Sequence, residues 1–291
     1  MRDAIPLPPP ELNFVGDGDF ATIGEHFLTI LTEHAGLRPH HRVLDVGCGI
    51  GRLAAPLTRY LDARGRYEGF DVVDVGIDWC RREVTPRFPH FRFQLADVYS
   101  GSYHPRGRYA ACEYEFPYAD GAFDVVVLTS VFTHMLPADV ANYVAQVARV
   151  LKPGGTALAT FFLRNAESER LTAAGRSRVT FHPRRGYGTA NPRQPEDAIC
   201  YDEAHVLGLL GLWGLAPAGP VHYGAWCGRG GALNGHDIVV ATKVRSVAVP
   251  RPRRRRVAAL VRAVRRWVRP PRGATAAAVA GARAAAGRAA A

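Results

Sequence analysis

Apolar residues follow two alternating spacings along the chain, and this alternation predicts the fold. Strands are predicted at residues 42–46, 67–71, 91–95, 123–128 and 156–163, and the apolar run at 123–128 is typical of a strand covered on both faces. Between the runs, apolar positions recur every three or four residues, as on one face of a helix. Strands and helices that alternate at these lengths predict an α/β fold with a doubly wound, mostly parallel sheet.

The pattern changes in the second half of the chain. Residues 164–200 are polar, rich in Arg, Gly and Pro, and show no clear period, so we expect a lid or an insert there. A helix is predicted to start at Asp202, and strand-like runs at 220–226 and 237–243 close the domain. With these two, the predicted sheet has seven strands.

These patterns divide the chain into three parts. Residues 1–19 are rich in Pro and Gly and predict a surface arm. Residues 20–243 form one predicted domain that contains the 164–200 segment. Residues 244–291 form a basic tail rich in Ala and Arg.

The C-terminal residues alone make the chain basic, with its net charge of +11. Residues 243–291 contain 14 basic and no acidic residues, which leaves 23 basic and 26 acidic residues in the body, a net charge of −3. Within the tail, residues 251–269 have the spacing of a basic amphipathic helix with a Trp, a type that lies on anionic membrane surfaces. A flexible Arg-rich extension is the alternative. Nucleic acid is a less favoured partner because the body is acidic.

The cysteines and the N-terminal sequence indicate the cellular compartment in which the protein is expected. The five cysteines are dispersed, with neither CxxC spacing nor His partners, so we expect no metal site and no disulfide framework. The N-terminus lacks the apolar core of a signal peptide, and no apolar run approaches the ~18 residues of a membrane span. A cytoplasmic location is expected.

A glycine loop carries the main functional prediction. Residues 45–51 read DVGCGIG and lie between the first strand and the next helix, where glycines let the backbone approach a ligand. A dinucleotide fingerprint requires glycine at position 52, which is Arg52 here. The spacing therefore favours the amino-acid end of a nucleoside ligand, as in S-adenosylmethionine, over a pyrophosphate.

Two further acids end strands at the same predicted edge of the sheet. Asp71 ends the second strand and can accept hydrogen bonds from ribose hydroxyls. Asp97, followed by Val98, comes after the third strand and can accept a hydrogen bond from an adenine amine. Parallel sheets bind ligands at this edge. The alternative is that both acids cap the structure that follows them.

Residues 42–163 resemble the core of class I S-adenosylmethionine-dependent methyltransferases. Residues 43–51 resemble the cofactor loop of that family, and residues 96–98 resemble its adenine contact. Residues 116–124 are similar to the approach to its fourth strand, and residues 147–155 to the helix and turn before its fifth.

The resemblance implies a Rossmann-like fold that ends in an antiparallel C-terminal hairpin. It also implies S-adenosyl-L-methionine as cofactor and methyl transfer as the reaction. The cofactor-binding residues that we expect are Asp45, Gly47, Cys48, Gly49, Gly51, Asp71, Asp97, Val98 and Ser130.

His134 is the candidate catalytic base. It follows the fourth predicted strand, at the edge that holds the cofactor, and a histidine can accept a proton near neutral pH. Packing beside the cofactor is the alternative role. We expect O-methylation of a small molecule or glycan. An RNA or protein methyltransferase that docks through the tail, and a cofactor-binding protein without catalysis, remain alternatives.

Overall fold

The computed structural model describes residues 5–14, 16 and 18–249. Its strands are β1 Arg42–Val46, β2 Arg66–Asp71, β3 Phe91–Leu95, β4 Phe123–Leu128, β5 Leu151–Phe161, β6 Leu163–Arg164, β7 His182–Arg184, β8 Tyr187–Thr189, β9 Ile199–Asp202, β10 Leu215–Pro217 and β11 Asp237–Lys243. Its α-helices are α1 Phe20–His34, α2 Ala54–Tyr60, α3 Asp74–Glu83, α4 Pro137–Val150, α5 Ala166–Ala173 and α6 Glu203–Leu212.

The main sheet has seven strands in the order β10-β11-β5-β4-β1-β2-β3. The five strands that are neighbours in the order β5-β4-β1-β2-β3 run parallel to one another. Strand β11 pairs antiparallel with both β5 and β10. The predicted α/β class, the seven strands and the antiparallel C-terminal hairpin are therefore confirmed. Because β1 lies between β2 and β4, the strand order reverses beside β1 and opens a crevice at its carboxyl end.

Apolar side chains on both faces of the sheet form two core clusters. One cluster joins the sheet to α4 and α6, and includes Val144, Val147 and Leu210. The other joins it to α1, α2 and α3, and includes Leu31 and Ile77. The central strands are covered on both sides, which explains their continuous apolar sequences.

The first strand of the closing hairpin differs from the prediction. The strand predicted at 220–226 is wrong: the partner of β11 is β10, and only His222 makes an isolated bridge to Ile238. The buried carboxylate of Asp237 accepts hydrogen bonds from the Gly224 amide and from Trp226 Nε1, both at 2.7 Å. These bonds hold the chain in a turn at residues 225–227 instead of an extended strand.

The fifth strand begins earlier than residue 156, directly after α4. Phe123 pairs with Leu151 and Val125 with Thr156, so the intervening residues of β5 bulge out of the ladder. Gly154 has φ of +77° within this bulge. The bulge therefore occupies the place of the predicted turn.

Residues 164–200 contain more regular structure than their sequence indicates. They hold α5 and most of a second sheet, with strand order β6-β9-β8-β7. Phe162, Leu171, Cys200, Trp226 and Cys227 form a small core beneath this sheet. The segment is therefore packed onto the domain, and we call residues 164–200 the insert.

The ends of the chain contribute differently to the described structure. The arm is attached to the body, since Ile5 is buried in the core cluster of α1–α3. Asp19 caps α1 by accepting a hydrogen bond from the Thr22 amide, as its sequence position indicates.

The amphipathic pattern at 251–269 lies outside the described residues. Within the described part, no helix is long and apolar enough to cross a bilayer, and the five cysteines are unpaired thiols.

Candidate functional site

A cavity of about 240 Å³ lies at the carboxyl ends of β1, β2 and β4. The glycine loop, the segment after β4 and the start of α4 line it, together with Phe14 of the arm and Glu196 of the insert. Of the predicted site residues, the cavity wall contains Asp45, Gly47, Cys48, Gly49, Asp71, Val98, Ser130 and His134. Gly51 and Asp97 lie outside this lining.

The glycine loop turns sharply because its glycines adopt a left-handed backbone. Gly47 and Gly49 have φ of +75° and +56°. A Cβ on Gly47 would lie 2.5 Å from Val131 Cγ2, so only glycine fits there. The amides of Gly47 and Cys48 donate to the Phe70 carbonyl oxygen at 2.8 and 3.1 Å, which fixes the loop on β2.

Cys48 and Gly51 have structural roles in the loop. Burial raises the pKa of the Cys48 thiol well above its usual value, which keeps it a neutral packing group. A Cβ on Gly51 would lie 2.9 Å from Cys80 Sγ. Gly51 therefore sets how closely the loop packs against α3.

Two buried carboxylates support the loop from beneath. Asp45 Oδ2 accepts a hydrogen bond from the Tyr67 hydroxyl at 2.6 Å, whereas its Oδ1 is buried without a partner among the described residues. Burial, opposed by the Tyr67 bond, raises the pKa of Asp45 to about 7. Asp71 accepts hydrogen bonds from the amides of Gly49 and Val73, at 2.7 and 2.9 Å, and burial raises its pKa too.

Asp97 holds a surface loop. Its side chain accepts a hydrogen bond from the Arg108 amide at 3.0 Å and pairs with the Arg108 and His104 side chains, each at 3.3 Å. It is 40% exposed, whereas the neighbouring Val98 is buried and faces the cavity. The adenine contact of Asp97 remains a prediction.

Ser130 lies directly after β4 in a strained conformation. Its φ of +56° is the one positive value at a non-glycine residue in the described parts of the chain. The amide of Ser130 donates to Thr160 Oγ1 at 2.7 Å, which holds this conformation. Strained backbone of this kind concentrates at ligand sites.

His134 ends a 3₁₀ turn beside Ser130 and faces the cavity. Its Nδ1 lies 3.0 Å from the carbonyl oxygen of Glu196. Because a carbonyl only accepts hydrogen bonds, Nδ1 carries the hydrogen and Nε2 carries the lone pair. Burial lowers the pKa of His134, and the backbone hydrogen bonds to Glu196 and Asp197 only partly oppose this effect. The ring is therefore neutral at physiological pH.

Three further residues line the cavity near His134. Glu196 Oε2 accepts a hydrogen bond from the Gly101 amide at 2.5 Å, and burial raises the pKa of Glu196. Asp139 and Tyr143 face the cavity from α4. Glu196 escaped prediction because the insert has no period, and Tyr143 because its spacing marks it as a core residue. The structure thus adds two carboxylates to the part of the cavity around the candidate base.

The cavity fits a nucleoside ligand with an amino-acid end. The unpartnered Asp45 Oδ1 requires a hydrogen-bond donor, which an ammonium group or a hydroxyl supplies. Gly47 and Gly49 line the cavity and present backbone without side chains to it, so a ligand can approach the loop closely. Among the described residues, no group of three or more His, Cys, Asp or Glu side chains is placed to hold a metal ion.

Comparisons with known proteins agree with this geometry. Residues 44–159 match a family model described as a methyltransferase domain. The chain is similar to the methyltransferase GfsG of Streptomyces halstedii, with 31% identity over 53% of this chain and 49% of that protein. It is also similar to the 27-O-demethylrifamycin SV methyltransferase of Amycolatopsis mediterranei, with 33% identity over 56% of this chain and 57% of that protein. The chain thus spans about half the length of these curated relatives.

Similarity to solved structures concerns the fold. The PH0226 protein of Pyrococcus horikoshii OT3 superposes with a TM-score of 0.53 at 17% identity, over 80% of this chain and 95% of that one. The family match, the strand order and the glycine loop agree along the same residues. Residues 44–159 therefore form a methyltransferase domain with the Rossmann-like fold of the class I enzymes, whose cofactor is S-adenosyl-L-methionine.

Proposed function

We propose that the protein transfers the methyl group of S-adenosyl-L-methionine to a hydroxyl oxygen of a small-molecule or glycan acceptor. The observation that carries this proposal is His134, which lines the same cavity as the glycine loop and has a neutral ring with its lone pair on Nε2. When bound, the cofactor supplies a methyl group that is already activated on a sulfonium.

The residues at the carboxyl ends of β1 and β2 would hold the cofactor. The loop around Gly47 and Gly49 gives its backbone close approach, and Asp71 has lone pairs left to accept from ribose hydroxyls. Asp45 Oδ1 would accept from the amino-acid end. These contacts fix the position of the reacting groups, which can contribute on the order of 7–11 kcal/mol to the rate.

His134 would remove the proton of the acceptor hydroxyl. The proton goes to Nε2, while Nδ1–H keeps its hydrogen bond to the Glu196 carbonyl in both protonation states. That carbonyl also stabilises the imidazolium that forms. A base placed in this way contributes about 10²–10⁴-fold.

The relatives support the choice of acceptor. The name of the Amycolatopsis mediterranei protein states a small-molecule acceptor, 27-O-demethylrifamycin SV. The acidic lining around His134 and the body charge of −3 also disfavour a phosphate-rich polymer.

Methyl transfer from radiolabelled S-adenosylmethionine into fractionated extract tests the proposal. We expect label in a low-mass or glycan fraction that resists base treatment, as an ether does and an ester does not. Label confined to RNA or protein would overturn the acceptor class. The His134→Ala variant should bind S-adenosylhomocysteine as the unaltered protein does, yet transfer label about 10²–10⁴-fold more slowly. Full transfer by that variant would remove His134 from the mechanism.

A further inference from the structure

Two carboxylates line the part of the cavity that holds the candidate base, and their hydrogen-bond partners are uncharged. Asp139, in the first turn of α4, accepts hydrogen bonds from the Leu136 amide at 3.3 Å and from Cys112. Glu196, in the insert, accepts a hydrogen bond from the Gly101 amide at 2.5 Å. Neither carboxylate forms an ion pair with a Lys or Arg side chain among the described residues.

These two carboxylates are close enough for the charge of one to act on the other. Burial raises the pKa of both, and the negative charges of Asp139 and Asp197 raise the pKa of Glu196 further. Burying two anions without a cation is costly, and a positively charged ligand group would offset that cost. A metal ion does not fit, since no group of three or more His, Cys, Asp or Glu side chains in the described structure is placed to hold one. The pair is therefore suited to an organic cation.

A third polar side chain faces the cavity without a hydrogen-bond partner. Tyr143 lines the cavity one helical turn after Asp139 and is only 5% exposed. Its ring packs edge-on against Phe116, and its hydroxyl makes no hydrogen bond to the described residues. Burial raises the pKa of this hydroxyl well above its usual value, so it stays neutral. Buried polar groups are rarely left unpaired, and the Tyr143 hydroxyl therefore indicates a ligand that completes its hydrogen bonding.

The charge of the whole cavity wall also favours a positively charged acceptor. Its described residues include four carboxylates and one guanidinium, those of Asp45, Asp71, Asp139, Glu196 and Arg52. The cofactor carries one sulfonium, one ammonium and one carboxylate, so it would add a single positive charge. The cavity then stays negative with the cofactor bound, and a cleft with charge of one sign attracts ligands of the other.

We propose that the acceptor is a hydroxylated amine, such as an amino sugar, whose ammonium group binds the side chains of Asp139, Glu196 and Tyr143. This assignment rests on the proposed function, because it takes the methylated atom to be an acceptor hydroxyl beside His134. An ammonium group donates three hydrogen bonds, and the three side chains supply three acceptors. The main-chain carbonyl of Glu196 holds His134 Nδ1, so one residue joins the ammonium site to the base.

The charge of the labelled product tests the assignment. The product of the radiolabel assay is separated from the remaining cofactor by chromatography and then run in electrophoresis at pH 7. We expect the label to migrate toward the cathode, because methylation of a hydroxyl leaves the ammonium group of the acceptor unchanged.

Variants of the three side chains are then compared with the same acceptor fraction. Glu196→Gln and Asp139→Asn remove the charge but keep an oxygen for the backbone amide that each side chain holds, and each should lower kcat/KM by about tenfold. Tyr143→Phe removes an uncharged hydrogen-bonding group and should lower kcat/KM by about threefold. All three variants should bind S-adenosylhomocysteine within about twofold of the unaltered protein, which also shows that they are folded.

Glu169→Gln is the matched control, because it removes the charge of an exposed carboxylate in the same insert and should leave kcat/KM unchanged. A labelled product without positive charge would exclude an amine acceptor, while methyl transfer itself would stand. Unchanged kcat/KM in both Glu196→Gln and Asp139→Asn would remove the ammonium group from these side chains. If no fraction took up label, the proposed function itself would fail. Uptake of label and charge of the product are measured separately, so the two failures are distinguishable.

Discussion

At the scale of single residues, the catalytic proposal depends on the protonation state of His134. Its Nδ1–H is held by a backbone carbonyl whose acceptor role cannot change, so the tautomer is fixed without an ionisable partner. Burial lowers the pKa of the ring and keeps it neutral where a base is needed. A main-chain contact thus prepares the side chain for proton transfer.

The pH dependence of kcat/KM should follow the protonation of His134. The ring is active when neutral, so the rate should rise with pH through a pKa below the usual 6.5 and level off above it. His134→Ala should lower the plateau by about 10²–10⁴-fold and remove the acidic limb. Initial rates from pH 5 to 8 measure both effects. An acidic limb that persists in the variant would assign it to another group.

The sequence predicts one part of the site well and another part poorly. The glycine loop and Asp71 are recognisable because their roles follow from position at the end of a strand. Glu196 contacts Gly101, 95 residues away, through packing of a segment without a period. A side chain brought in by long-range packing leaves no local signal, so sequence patterns do not reveal it.

At the scale of elements, the insert forms the roof of the cavity around His134. Glu196 contributes its carbonyl to His134 and its carboxylate to Gly101, and Gln194 Nε2 donates to Ser102 Oγ at 3.1 Å. The insert is anchored by β9, where Ile199 and Cys200 are buried. The roof therefore joins the candidate base to the loop after β3.

Glu196→Ala should change acceptor binding but not cofactor binding. It removes the carboxylate that holds Gly101 and leaves the backbone carbonyl for His134, so acceptor KM should rise by about fivefold or more. The Kd of S-adenosylhomocysteine should stay within about twofold. Glu169→Ala, at an exposed glutamate of the same insert, is the matched control. Weaker S-adenosylhomocysteine binding in Glu196→Ala would place Glu196 in the cofactor site instead.

Asp237 should be important for stability because it links three segments. Its buried carboxylate accepts from the amides of Leu163 and Gly224 and from Trp226 Nε1, and pairs with Arg229. Asp237→Ala leaves these three buried donors unpaired and removes one of the two carboxylates that pair with Arg229, the other being Glu167, and should lower the free energy of unfolding by about 3–5 kcal/mol. Urea unfolding measures the change.

A second aspartate gives the reference for that measurement. Asp78→Ala removes an exposed carboxylate of α3 and should change the free energy of unfolding by about 0.5 kcal/mol or less. Equal effects of the two substitutions would contradict the linking role of Asp237.

The carboxylate of Asp237 also explains why the predicted strand at 220–226 does not form. Alternation of apolar and polar residues predicts an extended chain, whereas the hydrogen bonds of Gly224 and Trp226 to this distant side chain bend it.

At the scale of the whole molecule, charge is divided between an acidic body and a basic tail. The predicted membrane contact belongs to residues 251–269, outside the described residues, and stays a proposal.

The doubly wound sheet was predictable because its signal repeats over many strands and helices. The second sheet was not, since β7 and β8 have three residues each, too few to show a period.

Truncation after residue 249 should separate methyl transfer by the body from the proposed membrane binding by the tail. The shortened protein should keep its Kd for S-adenosylhomocysteine and its turnover, because every described residue of the cavity wall is retained. It should lose cosedimentation with vesicles containing phosphatidylserine, while vesicles of phosphatidylcholine alone should bind neither form. Loss of methyl transfer upon truncation would favour an RNA or protein acceptor that docks through the tail.

The division of the cavity between two segments has a consequence for how such enzymes diversify. The wall that would hold the cofactor comes mainly from β1, β2 and the loop between β1 and α2, whereas the insert reaches the cavity through Glu196 and contacts the loop after β3 through Gln194 and Glu196. Mutations in the roof can then accumulate without loss of the methyl donor. If the insert selects the acceptor, as we propose, exchange of a few insert residues would give new acceptors, and directed evolution is best started there.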